Sequence, residues 1–215
     1  MSADGLRPLS SFPMGEAAAP LVLASASPSR RTMLENAGLS FSVHPAAVDE
    51  DAVKESLKAE GASAARTAET LAELKAQRVS ANYPGSLVIG ADQMLECEER
   101  WFDKPSDRDG AFESLRALQG RSHVLWSAVC LVRDGSRIWH HGAPARMTMR
   151  PLSDDFIAAY LDSVGDKALS SVGAYQLEGL GAQLFSGIDG DFFTILGLPL
   201  LPLLEMLRAN GVLVR

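Results

Sequence analysis

Short apolar runs alternate with helical segments along this chain, and this alternation restricts the available folds more than any other feature. Three runs have the length and composition of buried β-strands, namely Leu21–Ala24, Phe41–His44 and Leu87–Ala91. Two later pairs of apolar segments surround Asp134-Gly135 and Asp189-Gly190, dipeptides that favour tight β-hairpins. Because hairpins require antiparallel neighbours, a purely parallel sheet fits less well. The sequence therefore predicts an α/β fold with a mixed sheet.

The boundaries of these elements follow from turn and cap signals. The first predicted hairpin joins Val124–Val132 to Ile138–Met149, and the second joins Leu184–Ile188 to Phe192–Leu196. Five helices are predicted from these signals. The first is capped by Ser27, has Pro28 in its first turn and ends before Gly38, and the second runs from Ser63 to about Val79 with Leu71 and Leu74 facing inward. The third is capped by Ser106 and runs to about Gln119, the fourth begins at Ser153, and the last is Leu200–Leu207.

The composition fits one folded domain. The chain has 215 residues and 47% hydrophobic content, enough to bury a full core. We predict a domain over residues 19–215, preceded by a disordered extension over residues 1–18. No segment provides the roughly 20 apolar residues of a transmembrane helix, and the N-terminus lacks the cationic start of a secretory signal. A cytoplasmic protein without a membrane partner is expected.

Charge and cysteine usage narrow the possible partners. The 20 Lys and Arg residues are outnumbered by 27 Asp and Glu residues, which gives a net charge of −7. A surface of this sign repels phosphate, so we expect no nucleic-acid partner, although a small anionic substrate remains possible. Cys97 and Cys130 form no CxxC pair, and they are expected to be free thiols in a reducing compartment.

A candidate anion site follows the first strand. The segment contains Ser25 and Ser27, and then two arginines, Arg30 and Arg31, in the first turn of the predicted helix. Cations at a helix N-terminus oppose the helix dipole, so they favour a site where an anion binds the hydroxyls, the guanidinium groups and free amides. An ordinary capped helix with solvated arginines explains the same pattern, and the residues alone leave both interpretations open.

Acidic residues offer candidate metal ligands. Asp92 follows the apolar strand Leu87–Ala91, and a carboxylate at the end of a strand can hold Mg²⁺ or activate water. Glu50, in the run Asp49-Glu50-Asp51, is a second candidate. A turn-forming aspartate and a solvated charged run are the simpler alternatives for these two places.

Two lysines and a glycine-rich segment complete the candidates. Lys104 precedes a proline and is held extended, so its side chain can be aimed at a ligand, although an ordinary surface loop explains the pattern equally well. Lys75 is typical of the polar face of a helix. Three glycines lie within Gly173–Gly181, which indicates a backbone that bends or approaches a ligand closely. In that segment, Tyr175 and Glu178 could stack on a base and hydrogen-bond to it.

The order of these motifs resembles that of the Maf family of nucleoside triphosphate pyrophosphatases. The corresponding motifs are Ser25, Ser27 and Arg30 in S-x-S-x-x-R, Leu71–Ala76 in L-A-x-x-K-A, Gly90-Ala91-Asp92, Lys104-Pro105, Gly173–Gly181 and the closing Gly197-Leu198-Pro199. The resemblance covers about residues 20–210. It implies an elongated mixed sheet flanked by helices, with two lobes around a nucleotide cleft. It also implies hydrolysis of a nucleoside triphosphate to the monophosphate and pyrophosphate with a divalent cation such as Mg²⁺, Mn²⁺ or Co²⁺.

The resemblance assigns a role to each matching residue. Ser25, Ser27, Arg30 and Arg31 would hold the triphosphate, and Lys75 and Lys104 would neutralise charge on the phosphates. Asp92 would be a metal ligand or the general base, and Glu50 the second acidic group. These roles agree with phosphoryl chemistry, which depends on positioning and on electrostatic stabilisation by cations.

The base preference is mixed. Gln93 and Glu178 resemble the 7-methyl-GTP branch of the family, and a carboxylate suits the hydrogen-bond donors of guanine and the positive charge of the methylated base. Tyr175 resembles the branch that acts on dTTP and UTP. We expect 7-methyl-GTP as substrate, with dTTP and UTP as the alternative. A non-catalytic nucleotide-binding regulator of cell division is a further alternative, and a homodimer is possible.

Overall fold

The structure is a computed structural model that describes residues 19–214. The expected disordered extension over residues 1–18 lies outside the described residues. Seven strands are present in this part of the chain: β1 Leu21–Leu23, β2 Ser42–Val43, β3 Leu87–Cys97, β4 Arg100–Phe102, β5 Ser122–Arg133, β6 Ser136–Met149 and β7 Phe185–Asp189. The seven helices are α1 Pro28–Asn36, α2 Glu50–Ala59, α3 Ala64–Ser80, α4 Arg108–Leu118, α5 Asp154–Val164, α6 Phe192–Ile195 and α7 Leu200–Ala209. Three 3₁₀ segments, Gly165–Ser170, Val172–Ala174 and Leu180–Leu184, follow α5.

The strands form one mixed sheet in the order β2-β1-β3-β5-β6-β7, as predicted, and β4 also pairs with β3. Strand β1 is parallel to β2 and β3, and the remaining pairs are antiparallel. The β5–β6 hairpin turns at Asp134-Gly135, which confirms the first hairpin prediction. The helices predicted after Ser27, Ser63 and Ser153 also form, because each serine hydroxyl accepts a hydrogen bond from the amide three residues on.

Four predicted boundaries were wrong. Strand β3 continues to Cys97, so that Asp92 lies inside the strand rather than at its end. The charged run after Asp49 is the start of helix α2, which Asp49 caps. Helix α4 is capped by Asp107 and not by Ser106. The segment after Gly190 forms helix α6, because Asp191 caps it, and β7 pairs with β6 instead of forming a second hairpin.

The core lies on both faces of the sheet. Helix α3 covers one face. On the other face, the odd-numbered residues of β3 pack first with α1 and α7 and then with α4 and α5. We call the cluster around Leu34 and Leu203 the first lobe and the cluster around Leu115 and Ile157 the second lobe. Gln93 and Ser127 lie at the seam between the two lobes.

Strand β3 has an incomplete edge that positions the site. Its beginning, Leu87–Ile89, pairs with β1, and its end, Leu95–Cys97, pairs with β4. Between these stretches, Gly90–Met94 pairs only with β5. The other edge of this stretch is therefore free to receive side chains from α1 and α3.

Two further expectations concern the described residues. Cys97 and Cys130 are both free and buried, and burial raises the pKa of the Cys130 thiol to about 12. None of the helices within residues 19–214 is long and apolar enough to cross a membrane.

Candidate functional site

A cleft of about 770 Å³ is lined by residues of both lobes. It is lined by ten of the eleven residues that the sequence analysis singled out: Ser25, Ser27, Arg30, Glu50, Lys75, Asp92, Gln93, Lys104, Tyr175 and Glu178. These residues come from loops, helices and a strand that are far apart in the chain. The fold therefore brings the separate motifs into one place.

Arg31 is the exception and does not line the cleft. Its side chain is exposed and forms an ion pair with Glu35 one turn along α1, with an Nε–Oε1 distance of 2.7 Å. Successive residues on a helix point about 100° apart, so Arg31 cannot face the same way as Arg30. The structure gives Arg31 no place beside the other predicted triphosphate ligands.

Arg30 is buried and occupies the free edge of β3. Its Nη1 donates to the Ala91 carbonyl at 2.9 Å and to Ser25 Oγ at 3.1 Å, and its Nε donates to the Gly197 carbonyl at 2.8 Å. Burial lowers the pKa of Arg30, while the charges of Asp92 and Glu50 oppose that shift. The guanidinium group is thus fixed in place, and its Nη2 makes no hydrogen bond to residues 19–214.

Lys75 connects the two predicted acidic residues. Its Nζ lies 2.5 Å from Asp92 Oδ1 and 2.8 Å from Glu50 Oε1. Lys75 and Asp92 are 8% and 6% exposed, so this contact is almost fully shielded from water. Burial raises the pKa of Glu50, but the hydrogen bond and charge of Lys75, with the charges of Lys54 and Lys104, outweigh it and lower that pKa. Glu50 is therefore held as a carboxylate.

Lys75 was described from the sequence as typical of a polar helix face, and the structure shows why that description was incomplete. Leu74 is only partly buried, whereas Lys75 is buried beside Ala72 and Ala76 on the face of α3 that packs on β3. A lysine is rarely buried unless it is paired. Its partner Asp92 comes from β3, and that long-range pairing is invisible in the local pattern.

Lys104 and Lys54 add two further positive charges to the cleft. Burial and the charge of Arg30 lower the pKa of Lys104, although Glu50 opposes them. Lys54 pairs with Asp103 at 2.6 Å. Sequence reasoning missed both members of this pair, although a signal existed. Asp49 as an N-cap, with acidic residues in the next two positions, indicates a helix on which Lys54 is one turn from Glu50.

Gln93 is held at the seam between the lobes. Its Nε2 donates to Ser127 Oγ at 2.9 Å and to the carbonyls of Ile195 and Thr194 at 3.1 and 3.2 Å. The amide nitrogen is thus turned toward the protein. The amide oxygen is the atom left for a ligand, and it can only accept a hydrogen bond.

The glycine-rich segment provides one exposed carboxylate and one buried ring. Glu178 is exposed and lines the cleft. Tyr175 also lines it but is only 4% exposed, because its hydroxyl lies 2.7 Å from His123 Nε2 and its ring packs edge-on against Phe185. Gly173 allows this packing, since a Cβ there would lie 2.8 Å from the Tyr175 ring. Tyr175 is part of the cleft wall, and its hydroxyl is already engaged.

The acidic residues suit a metal ion that is bound jointly with a substrate. Across residues 19–214, no group of three or more His, Cys, Asp or Glu side chains forms a metal cage. Mg²⁺ is commonly held by one or two carboxylates together with substrate phosphates. Asp92 and Glu50, brought together by Lys75, fit that arrangement.

The chain is similar to a known family and to several named proteins over most of its length. The family described as Maf-like protein matches residues 20–210. A nucleoside triphosphate pyrophosphatase of Paramagnetospirillum magneticum is 61% identical over 193 residues, which cover 90% of this chain and 100% of that protein. A 7-methyl-GTP pyrophosphatase of Rhizobium etli is 56% identical over 193 residues, which cover 90% of this chain and 97% of that protein. A nucleoside triphosphate pyrophosphatase of Granulibacter bethesdensis is 54% identical, with coverage of 90% and 98%.

Proposed function

Because this chain belongs to the Maf-like protein family, we propose that it hydrolyses a nucleoside triphosphate to the nucleoside monophosphate and pyrophosphate. The observation that carries the proposal is the set of charged side chains along one cleft, with the cations Arg30, Lys75 and Lys104 beside the carboxylates Glu50 and Asp92. A triphosphate is a polyanion that such cations attract, and the relatives named nucleoside triphosphate pyrophosphatase support the same activity.

The reaction uses water as the nucleophile. A water oxygen attacks the α-phosphorus, and the bond from that phosphorus to the oxygen shared with the β-phosphorus breaks. Pyrophosphate leaves with that oxygen, and the proton of the attacking water passes to a carboxylate or to solvent. Negative charge grows on the departing oxygen, so fixed cations around it lower the barrier.

The α1 end of the cleft would hold the phosphates. Arg30 is fixed by three hydrogen bonds to protein oxygens, so little rotamer freedom remains to be lost when its Nη2 meets a phosphate oxygen. Ser25 and Ser27 place hydroxyl groups beside the start of the helix, where anions are favoured. Lys104 supplies a further positive charge.

Asp92 would act on the water or hold the metal, with Glu50 as the second acidic group. A divalent cation bound there would neutralise phosphate oxygens and lower the pKa of a bound water. The contact with Lys75 keeps both carboxylates at the same point of the cleft. Lys75 then has the role of positioning Asp92 and of balancing its charge.

Replacement of Asp92 tests the activity directly. Asp92→Asn removes the charge but keeps the shape, so we expect kcat to fall by roughly 100-fold or more while the fold remains. Pyrophosphate release measures the first quantity and circular dichroism the second. Asp155→Asn, an exposed carboxylate in the first turn of α5, is the matched control.

Near-normal kinetics of the Asp92→Asn variant would show that Asp92 takes no part in the reaction. If the wild-type chain released no pyrophosphate from any triphosphate with Mg²⁺, Mn²⁺ or Co²⁺, the non-catalytic regulator of cell division would become the better interpretation.

We propose 7-methyl-GTP as the preferred substrate. Glu178 offers an exposed carboxylate that can accept hydrogen bonds from the N1 and N2 donors of guanine, and Gln93 offers an amide oxygen. Methylation at N7 makes the base cationic, which favours a nearby carboxylate further. The Rhizobium etli relative carries the name of this activity.

The alternative prediction, that dTTP and UTP are the substrates, was based on the resemblance at Tyr175. In the structure, this side chain is buried and its hydroxyl faces His123. Tyr175 can therefore shape the wall that faces the base, but its hydroxyl is not free to hydrogen-bond with it. This arrangement favours Glu178 and Gln93 as the groups that read the base.

A substrate panel tests the preference. We expect kcat/KM for 7-methyl-GTP to exceed that for dTTP, UTP and unmethylated GTP in the wild-type chain. Glu178→Gln should reduce the preference for 7-methyl-GTP by about tenfold, the value of one charge-assisted hydrogen bond. Glu205→Gln, an exposed glutamate on α7, is the control. An unchanged profile in the Glu178→Gln variant would reject Glu178 as the base reader.

We propose the cytoplasm as the location of this reaction, because two free buried cysteines fit a reducing compartment. The substrate is the partner that the cleft supports, and the net charge of −7 argues against nucleic acid. The possible homodimer stays a prediction, which sedimentation would test.

A further inference from the structure

Lys54 and Asp103 form an ion pair at the cleft that no assigned role explains. Lys54 belongs to α2, and Asp103 lies in the loop between β4 and α4, next to Lys104. Their side chains meet with an Nζ–Oδ1 distance of 2.6 Å, and both residues line the cleft. The lysine side chain is 18% exposed and the aspartate 59%, so the cation faces inward and its partner faces solvent.

The pair differs from the other charged contacts of the cleft. Arg30 is fixed by three buried hydrogen bonds, and Lys75 is fixed by two carboxylates. Lys54 has one partner, and that partner is largely in water. An exposed ion pair is worth about 0–1 kcal/mol, so its exchange for another anion costs little.

The position of Lys54 also favours a second anion. Burial lowers the pKa of Lys54, but the hydrogen bond and charge of Asp103, followed by the charges of Asp92 and Glu50, raise it overall. Glu50 precedes Lys54 by one turn of α2, and both side chains line the cleft together with Asp92. A phosphate bound beside Asp92 and Glu50 would lie within the reach of the Lys54 ammonium group.

Helix α2 has no fully buried residue. Its Val53 packs against the apolar cluster around α3 and is only partly buried. Its Lys58 lies over the Trp101 ring of β4 at 5.3 Å from the ring centre, on the same side as the Lys54–Asp103 contact. Polar contacts of this kind permit a small shift of the helix more readily than a packed apolar face does.

We propose that Lys54 is a further phosphate-binding residue, which Asp103 holds at the cleft until a bound polyphosphate displaces the carboxylate and takes the ammonium group. This inference rests on the proposed pyrophosphatase function. Asp103 then competes with the substrate for Lys54. Removal of Lys54 should weaken polyphosphate binding, and removal of Asp103 should strengthen it.

Titration calorimetry with inorganic pyrophosphate and Mg²⁺ measures the affinity of each variant in the absence of turnover, and it therefore tests whether the two substitutions change that affinity in opposite directions. Lys54→Met should weaken pyrophosphate binding by about tenfold, because a charge-assisted contact is lost. Asp103→Asn should tighten it by roughly threefold, because Lys54 is released from a weak ion pair. Lys54→Arg keeps the charge and should retain binding within about threefold. KM for the triphosphate should follow the same order.

The controls separate local from general effects of charge. Arg208→Met and Asp155→Asn remove the same charges at exposed positions outside the cleft, and at 0.15 M salt they should leave pyrophosphate binding unchanged. Thermal melting of each variant establishes that it is folded before binding is compared.

The outcomes distinguish this inference from the proposed function. If Lys54→Met and Asp103→Asn both weaken binding, or if neither changes it, while the wild-type chain hydrolyses triphosphates, then the pair is only structural and the inference is wrong. If the wild-type chain neither binds pyrophosphate nor hydrolyses any triphosphate, the proposed function itself fails.

Discussion

Two buried polar pairs support the cleft at the scale of single residues, and they differ in how completely they are satisfied. Lys75 and Asp92 neutralise each other, and Glu50 takes a further hydrogen bond from the lysine. His123, by contrast, is 1% exposed, shares one hydrogen bond with Tyr175 and has a buried Nδ1 without a partner among the described residues. An unsatisfied buried polar atom costs stability, so the second pair is the weaker point.

His123 should make stability depend on pH. Burial lowers the pKa of His123 from 6.5 to about 4. Between pH 6.5 and about 4, His123 binds a proton in the unfolded chain but not in the folded chain. The free energy of unfolding is therefore greatest above pH 6.5 and falls as the pH falls toward 4. Between pH 7.5 and 5.5, His123 should account for a loss of about 1 kcal/mol.

Urea unfolding of the wild type and of a His123→Gln variant at both pH values measures this loss. The glutamine does not titrate, so the variant should lose about 1 kcal/mol less between the two pH values than the wild type does. His140→Gln, at an exposed position on β6, is the matched control. Equal pH dependence of the wild type and the His123→Gln variant would show that His123 is not held neutral by burial.

At the scale of elements, the approach of α3 to β3 positions the Lys75–Asp92 pair, and Gly90 permits that approach. A Cβ at Gly90 would lie 2.1 Å from the Ala72 carbonyl oxygen and 2.7 Å from the Ala76 Cβ. Neither neighbour can move without displacing the α3 backbone. Gly90→Ala should therefore destabilise the fold by roughly 1–3 kcal/mol and lower kcat, because Lys75 and Asp92 are displaced relative to each other.

Chemical denaturation and steady-state kinetics of the Gly90→Ala variant measure the two effects. Gly187→Ala on β7 is the control, since a Cβ there would meet only Thr148 at an ordinary contact distance of 3.8 Å. A Gly90→Ala variant with wild-type stability and kcat would show that α3 adjusts freely against β3.

The elements also show what the local sequence could and could not predict. Caps at Ser27, Ser63 and Ser153 and the Asp134-Gly135 turn are local signals, so these predictions were confirmed. The continuation of β3 beyond Asp92 was missed because the polar residues Asp92 and Gln93 interrupt the apolar run, and the pairing that carries the strand past them is with the distant strand β5. Helix α2 was missed because the acidic run at its start was interpreted as a solvated or metal-facing run, although the Asp49 cap and the one-turn spacing of Val53 and Leu57 indicate a helix.

At the scale of the whole molecule, the cleft lies at the free edge of β3, where the seam between the two lobes on one face of the sheet meets Lys75 of α3 on the other. Arg30 and Ser25 come from the first lobe, Glu178 from the segment after α5, and Gln93 from the seam. The family resemblance assigns eleven residues to one site, and ten of them line the cleft, whereas Arg31 does not. It could not predict the Lys54–Asp103 contact, which joins α2 to a loop 49 positions away.

The separation of the core from the charged site predicts how the molecule responds to metal removal. The three apolar clusters exclude Asp92 and Glu50, and Lys75 already forms an ion pair with each of these carboxylates. Chelation with EDTA should therefore abolish pyrophosphate release yet leave the thermal midpoint of the free protein within about 1–2 °C, a shift that corresponds to well under 1 kcal/mol. Differential scanning fluorimetry with and without EDTA measures the midpoint, and restored Mg²⁺ should return the activity in full.

With pyrophosphate present, EDTA should lower the midpoint, because a metal bound jointly with phosphate stabilises only the complex. A fall of several degrees in the free protein would instead mean that a metal ion supports the fold itself.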